Sequence, residues 1–257
     1  MVERLRGMFA FAIWDRDRRG VFLARDPLGI KPLYVADDGR TLRFASQVKA
    51  LMAGGGLSTD PEPAAEVGFL MWGSVPEPFS LYRAIRSLPA GHTLWRPTTG
   101  AATTRRYHSI AGVFAAAEAA GPAPTGVART DMVRAAVADT MRHHMVADVP
   151  VGAFLSGGLD SSAIVEFAAR ASPQTLRTVT LGFDEFRDGP SDETRIAAAT
   201  AGTLGVEHRT VWVTRDEFAS RRDHLLESMD QPSIDGTNSY FVSLAAASTG
   251  LKVVRTG

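Results

Sequence analysis

The sequence predicts two domains of different class: an α+β domain, then an α/β domain with a doubly wound parallel sheet. Residues 7–107 carry short apolar runs separated by turns rich in glycine, proline and aspartate, which is hairpin patterning. From Arg129 onward, apolar strand-length runs alternate with helical periodicity, the pattern of a parallel sheet covered on both faces. Residues 109–128 between them are rich in Ala, Gly and Pro and contain Gly121-Pro122-Ala123-Pro124, a linker composition. The expected divisions are 1–110, 111–128 and 129–257.

In the first part, Gly7 to Asp15 is a buried-strand run, Arg16 to Gly20 a charged turn, and Val21 to Arg25 its partner strand. Leu33 to Ala36 and Leu42 to Ala45 flank an Asp-Asp-Gly turn and read as a second hairpin. Val48 to Met52 starts a short helix that the glycines at 54–56 end. Residues 60–89 read as helix and loop, and 91–107 as a hairpin around Gly100. Arg25 and Asp26 read as a structural ion pair.

In the second part, apolar residues from Met132 to Met141 recur at helical spacing, followed by a strand at 150–155 and a helix at 161–171. Strand expectations follow at 176–182, 207–213 and 251–255. Helices are expected from about Ser191 to Leu204, with Ser191 or Asp192 as cap, from Asp216 to Met229, and from Asn238 to Thr249. Parallel sheets bind ligands at the carboxyl ends of their strands. That rule places residues 156–162, Leu181-Gly182 and Thr256-Gly257 along one edge.

The most informative stretch is Ser156-Gly157-Gly158-Leu159-Asp160-Ser161-Ser162, between an apolar strand and a helix. Its glycines admit close approach of a ligand to the backbone, and the first helical turn offers free N–H groups to an anion. No Gly-Lys pair is present for a Walker loop, and no three-glycine dinucleotide fingerprint occurs. The pattern resembles the loop of the ATP pyrophosphatases, which cleave ATP between the α and β phosphates. Ser156, Ser161 and Ser162 would then offer hydroxyl donors, and Asp160 would hold Mg²⁺ bridging the pyrophosphate. The competing reading is a plain Gly-Gly turn with Asp160 as a helix cap.

Composition excludes several classes of function. The chain has 257 residues, 45% hydrophobic and 22% charged, as in a soluble globular protein. Its net charge is zero, without the basic footprint of a nucleic-acid partner. No apolar run reaches the roughly 18–20 residues that span a bilayer, and the N-terminus lacks a signal-peptide core. A cytoplasmic location is expected. With no cysteine there is no disulfide, thiolate metal site or cysteine nucleophile. His143-His144 are adjacent and so point to different helix faces, which argues against a metal pair.

The resemblance extends beyond the loop. Asp148 to Ser162, Gly7 to Asp15, Arg25 to Tyr34, Phe44 to Leu51, Leu88 to His92 and Met229 to Gly236 together resemble glutamine-dependent asparagine synthetase. The resemblance implies an Ntn-type class II glutaminase sandwich followed by a synthetase domain of the ATP pyrophosphatase, adenine-nucleotide α-hydrolase-like, type. It implies amidation of aspartate through β-aspartyl-AMP, with ATP and Mg²⁺, glutamine or ammonia as nitrogen donor, and a homodimeric parent enzyme. Carried over by motif, the ATP site would comprise Leu155, Ser156, Gly157, Gly158, Asp160, Ser161, Ser162, Leu181, Thr256 and Gly257, with Asp160 catalytic through Mg²⁺. Leu155 and Leu181 also fit as core strand residues. The segment 229–236 resembles the acidic stretch near that family's synthetase site.

The departures are as specific. The family's N-terminal cysteine nucleophile, its Arg-Gly-Pro and Asn-Gly-Glu motifs and its Gly-Asp-Glu motif are absent, so the sequence reads as cut at both ends. Without a thiolate, the 257-residue chain is expected not to hydrolyse glutamine. Other readings remain open: an adenylating synthetase of the β-lactam-forming type, or a non-catalytic remnant.

Overall fold

The computed structural model describes residues 1–256; Gly257 lies outside the described residues. The chain divides into two units. The first comprises residues 1–122 with 229–234, and the second residues 123–228 with those from 235 onward.

The first unit contains β1 (Ala10–Asp15), β2 (Gly20–Arg25), β3 (Tyr34–Asp37), β4 (Leu42–Ala45), α1 (Val48–Ala53), α2 (Pro63–Trp72), β5 (Arg86–Ser87), β6 (His92–Pro97), β7 (Thr103–Arg106) and α3 (Ile110–Ala119). They form two antiparallel sheets, β1-β2-β6-β7 and β4-β3-β5. Leu23 of β2, Leu94 of β6 and Val35 of β3 share one apolar cluster with Leu33 and Leu88. The next residue of β3, Ala36, points the other way, into a cluster with Val48 and Leu51 of α1 and Ile85. The two-residue strand period thus puts apolar material on both faces of the smaller sheet.

Two sequence expectations for this unit require correction. Arg25 and Asp26 are not paired with each other. The Asp26 carboxylate, 1% exposed, accepts the backbone N–H groups of Phe9, Leu28, Ile30 and Lys31. Arg25 donates to the carbonyls of Gly29, Lys31 and Leu88 and to Ser87 Oγ, and pairs with Glu77 at 2.6 Å. Successive strand-end side chains point to opposite sides, which separates the two groups. The 111–128 stretch is not a linker throughout. Its alanines are the strongest helix formers, and Ser109 Oγ accepts the Gly112 N–H at 3.2 Å to cap α3. Helix is lost only around Gly121-Pro122-Ala123-Pro124.

The second unit contains α4 (Gly126–His144), β8 (Val151–Phe154), α5 (Leu159–Ala171), β9 (Arg177–Phe183), α6 (Thr194–Leu204), β10 (Glu207–Val213), α7 (Arg215–Ser228), α8 (Gly236–Ser248) and β11 (Val253–Arg255). The four strands form a parallel sheet in the order β10-β9-β8-β11. Met141 of α4, Val165 and Ala168 of α5, and Ala197 and Ala201 of α6 pack with Ala153 and Leu155 in one core. Ala245 and Ala246 of α8 pack with Val179 and Leu251 in another. Complete burial of Val165 stabilises this arrangement by roughly 1.5–3 kcal/mol. Gly152 is required within β8: a Cβ there would lie 2.5 Å from Leu251 Cδ1 and 2.9 Å from the Arg177 carbonyl oxygen.

The strand order sets the place of a site. From β8 the chain steps outward through β9 to β10, then returns to the opposite side of β8 as β11. The connections therefore diverge beyond the carboxyl ends of β8 and β11, where open parallel sheets leave a crevice.

Candidate active site

At the carboxyl end of β8 the chain turns through Ser156 and Gly157 into Gly158, the N-cap of α5. The turn is held by its own hydroxyls. Ser161 Oγ accepts the Ser156 N–H at 3.1 Å and lies 2.8 Å from Ser156 Oγ. Ser156 Oγ accepts the Gly158 N–H at 3.1 Å, and Ser162 Oγ donates to the Gly158 carbonyl at 2.8 Å. Leu159, Asp160 and Ser161 begin α5, where helical geometry leaves first-turn N–H groups without intrahelical acceptors. Those donors and the positive end of the helix favour an anion.

The loop borders a cleft of about 720 Å³ in the second unit, within the usual range for small-molecule sites. Of the sequence-predicted residues, Leu155, Ser156, Gly158, Asp160, Ser161, Leu181 and Thr256 line it. Leu155 is 1% exposed and belongs to the core that packs against α5 and α6, so it forms part of the floor. Leu181 borders both the cleft and the opposite core. Gly157 and Ser162 do not line the cleft; the Gly157 N–H donates to Glu193 Oε2 at 3.0 Å. Gly257 lies outside the described residues. Residues 229–234 group with the first unit, where Asp230 accepts the Val48 and Lys49 N–H groups at 2.8 and 2.9 Å.

A family model for asparagine synthase matches residues 132–257, and one for a glutamine amidotransferase domain matches residues 1–108. Residues 1–108 are thus similar to a glutamine amidotransferase domain, and residues 132–257 to an asparagine synthase domain. A Mycobacterium tuberculosis protein provisionally named glutamine-hydrolysing asparagine synthetase is 38% identical, over 91% of this chain and 35% of its own length. The Bacillus subtilis protein named asparagine synthetase (glutamine-hydrolysing) 1 is 33% identical, over 95% of this chain and 37% of its own. The chain thus spans little more than a third of these relatives. Among solved structures, an NH3-dependent NAD synthetase from Campylobacter jejuni covers 49% of this chain and 54% of its own at 15% identity, with a TM-score of 0.34.

In the region similar to asparagine synthase, Asp160 is the exposed carboxylate of the first turn of α5 and borders the cleft. A single carboxylate beside an anion-favouring turn is a donor set that could hold Mg²⁺, which takes one or two carboxylates and completes its shell with phosphate oxygens and water. Among the described residues no group of three or more His, Asp or Glu forms a metal site of its own. Three acids on the β9–α6 connection are engaged with arginines: Asp184 with Arg187 at 2.8 Å, and Glu185 with Arg215 and Asp188 with Arg195. Asp192 and Glu193, on the same connection and in the cleft lining, instead accept the Thr194 hydroxyl and the Gly157 N–H.

Sequence reasoning missed Glu193 as a loop partner, along with Thr180, Phe183, Phe186 and Asn238 in the lining. Phe183 and Phe186 meet edge to face at 6.3 Å between ring centres. Their position at and just beyond the carboxyl end of a strand on the ligand edge was the available signal. Among the described residues no helix is long and apolar enough to cross a membrane.

Proposed function

We propose that the chain is the nucleotide-binding part of a glutamine-hydrolysing asparagine synthetase. In this reading ATP lies against the turn that follows β8, with Leu155, Leu181 and Thr256 at the nucleoside end, Ser156, Gly158, Asp160 and Ser161 around the polyphosphate, and the Gly157 N–H within its reach once Glu193 releases it. The observation that carries it is the placement of a Ser-Gly-Gly-x-Asp-Ser turn at the carboxyl end of β8, beside the divergence of β8 and β11. The two antiparallel sheets of the first unit support an Ntn-type amidotransferase sandwich, and the parallel sheet of the second supports an ATP pyrophosphatase-type domain.

The chemistry follows from the substrate. An aspartate carboxylate has no good leaving group. Its oxygen attacks the α-phosphorus of ATP, the bond to the bridging oxygen of the β-phosphate breaks, and pyrophosphate departs. Ammonia from glutamine then attacks the acyl carbon and displaces AMP. Mg²⁺, when bound, would neutralise charge on the departing pyrophosphate. The chain's own task is to aim the first-turn N–H groups of α5 and the Ser156 and Ser161 hydroxyls at that charge, and to fix Asp160 beside it.

Isothermal titration of the 257-residue chain with ATP and Mg²⁺ tests the binding step. One-to-one binding that weakens at least about tenfold in Asp160→Ala is expected, since hydrogen bonds and contacts to charged groups contribute about 1.5–3 kcal/mol. No heat from the folded chain would refute the ATP site. A pyrophosphate-release assay with a panel of amino acids, run on the protein expressed from the complete gene, tests the acceptor. Release stimulated by an acid other than aspartate would replace the asparagine assignment.

A further inference from the structure

We propose that Glu193 is an internal anion that occupies the Gly157 N–H of the loop and must yield it when polyphosphate binds. The inference rests on reading the cleft as an ATP site, and it makes Glu193 a residue that sets the affinity of that site. The Gly157 N–H donates to Glu193 Oε2 at 3.0 Å across 36 positions of sequence. The approach is close along the side chain: a Cβ on Gly157 would lie 3.4 Å from Glu193 Cβ and 3.5 Å from its Cγ. Glu193 therefore lies against the backbone of the loop, and its carboxylate holds a donor that a phosphate oxygen would otherwise take.

The surroundings make this contact displaceable. The backbone that presents Glu193 is fixed by its neighbour: the Asp192 carboxylate accepts the Asp188 N–H at 2.8 Å, the Thr194 N–H at 2.9 Å and the Thr194 hydroxyl at 2.6 Å. These bonds, the Thr194 hydroxyl foremost, hold the Asp192 carboxyl below the usual carboxylate range. Only the Glu193 side chain needs to move, and it is exposed. Among the described residues no lysine or arginine pairs with it; Arg187, Arg195 and Arg215 are engaged by Asp184, Asp188 and Glu185. Its charge is thus uncompensated by a cation at the place where a polyanion would bind, and Asp160 adds a second negative charge to the lining. One N–H cannot serve a carboxylate and a phosphate fully at once, and two anions sharing the turn repel. Binding must therefore rotate Glu193 outward, at a cost that lowers affinity.

The test is titration of the full chain and its Glu193→Gln and Glu193→Ala variants with sodium pyrophosphate and with ATP–Mg²⁺, with circular dichroism confirming equal folding. Both variants should bind pyrophosphate about threefold to tenfold more tightly than the unaltered chain, the range for one charged hydrogen bond near solvent. A merely structural role for Glu193 gives the opposite sign. Unchanged or weaker pyrophosphate binding by the variants, with ATP binding intact in the unaltered chain, overturns this inference alone. Failure of all three folded proteins to bind either ligand overturns the ATP reading and the inference with it.

Discussion

The side-chain hydroxyls of Ser156 and Ser161 lie 2.8 Å apart and hydrogen-bond across the turn that joins β8 to α5. Ser161 Oγ also accepts the Ser156 N–H, and it is one of the few buried polar groups of the second unit. The turn is thereby shaped before any ligand arrives, which lowers the ordering cost of binding. Ser161→Ala leaves the Ser156 N–H without its partner. We expect a loss of about 1–2 kcal/mol in urea denaturation and about tenfold in ATP affinity. Wild-type values for both would refute the role.

The second prediction concerns Asp26. Its buried carboxylate gathers four backbone N–H groups from two segments of the first unit. Asp26→Ala orphans all four and should cost about 3 kcal/mol or more, because unmade buried hydrogen bonds carry the full desolvation penalty. Asp26→Asn keeps one acceptor oxygen and should cost less. Equal denaturation midpoints for the unaltered and Ala proteins would disprove the assignment.

Asp230 supplies, from far along the chain, the acceptor that Gln47 does not provide as N-cap of α1. Replacing it with alanine should remove about 1 kcal/mol, the usual value of a cap. Faster amide exchange at Val48 and Lys49 is the direct readout. Unchanged exchange at those two amides would show that α1 is held without it.

Asp38, in the β3–β4 turn, gives a pH dependence. Its hydrogen bond to Arg43, then those from the Thr41 and Arg40 N–H groups, pull its carboxyl from 3.8 down to about 2. The folded value is the lower one, so this stabilisation is fully present above the unfolded value of 3.8. It is lost as pH falls through about 2. The group is exposed and the effect on global stability is small. A carboxyl NMR titration should place the midpoint near 2 in the unaltered chain, and Arg43→Ala should raise it. A midpoint at the ordinary value would contradict the hydrogen-bond geometry.

The parallel sheet was legible in sequence because its signals are local. Glu207–Val213 coincides with its expected strand, and the runs around β8, β9 and β11 differ by only one or two residues at their ends. The turn at 156–162 was legible for the same reason, since glycines, serines and an aspartate carry their meaning in order. What escaped was built from distant partners. Glu193 meets Gly157, and Asp230 meets α1, through hydrogen bonds that no periodicity encodes. The helix α3 escaped for another reason: a run of alanines was weighed with the glycines and prolines beside it, although alanine favours helix and they oppose it.

The grouping of residues 229–234 with the first unit has a practical consequence for dissecting the protein. The chain crosses from one unit to the other around residue 122, again at 229 and once more at 235. A protease nick or an expression boundary in the proline-containing stretch would leave six residues of the first unit on the downstream fragment. Separating the halves cleanly therefore requires more than one cut, and an upstream fragment expressed alone would begin its life with the start of α1 uncapped.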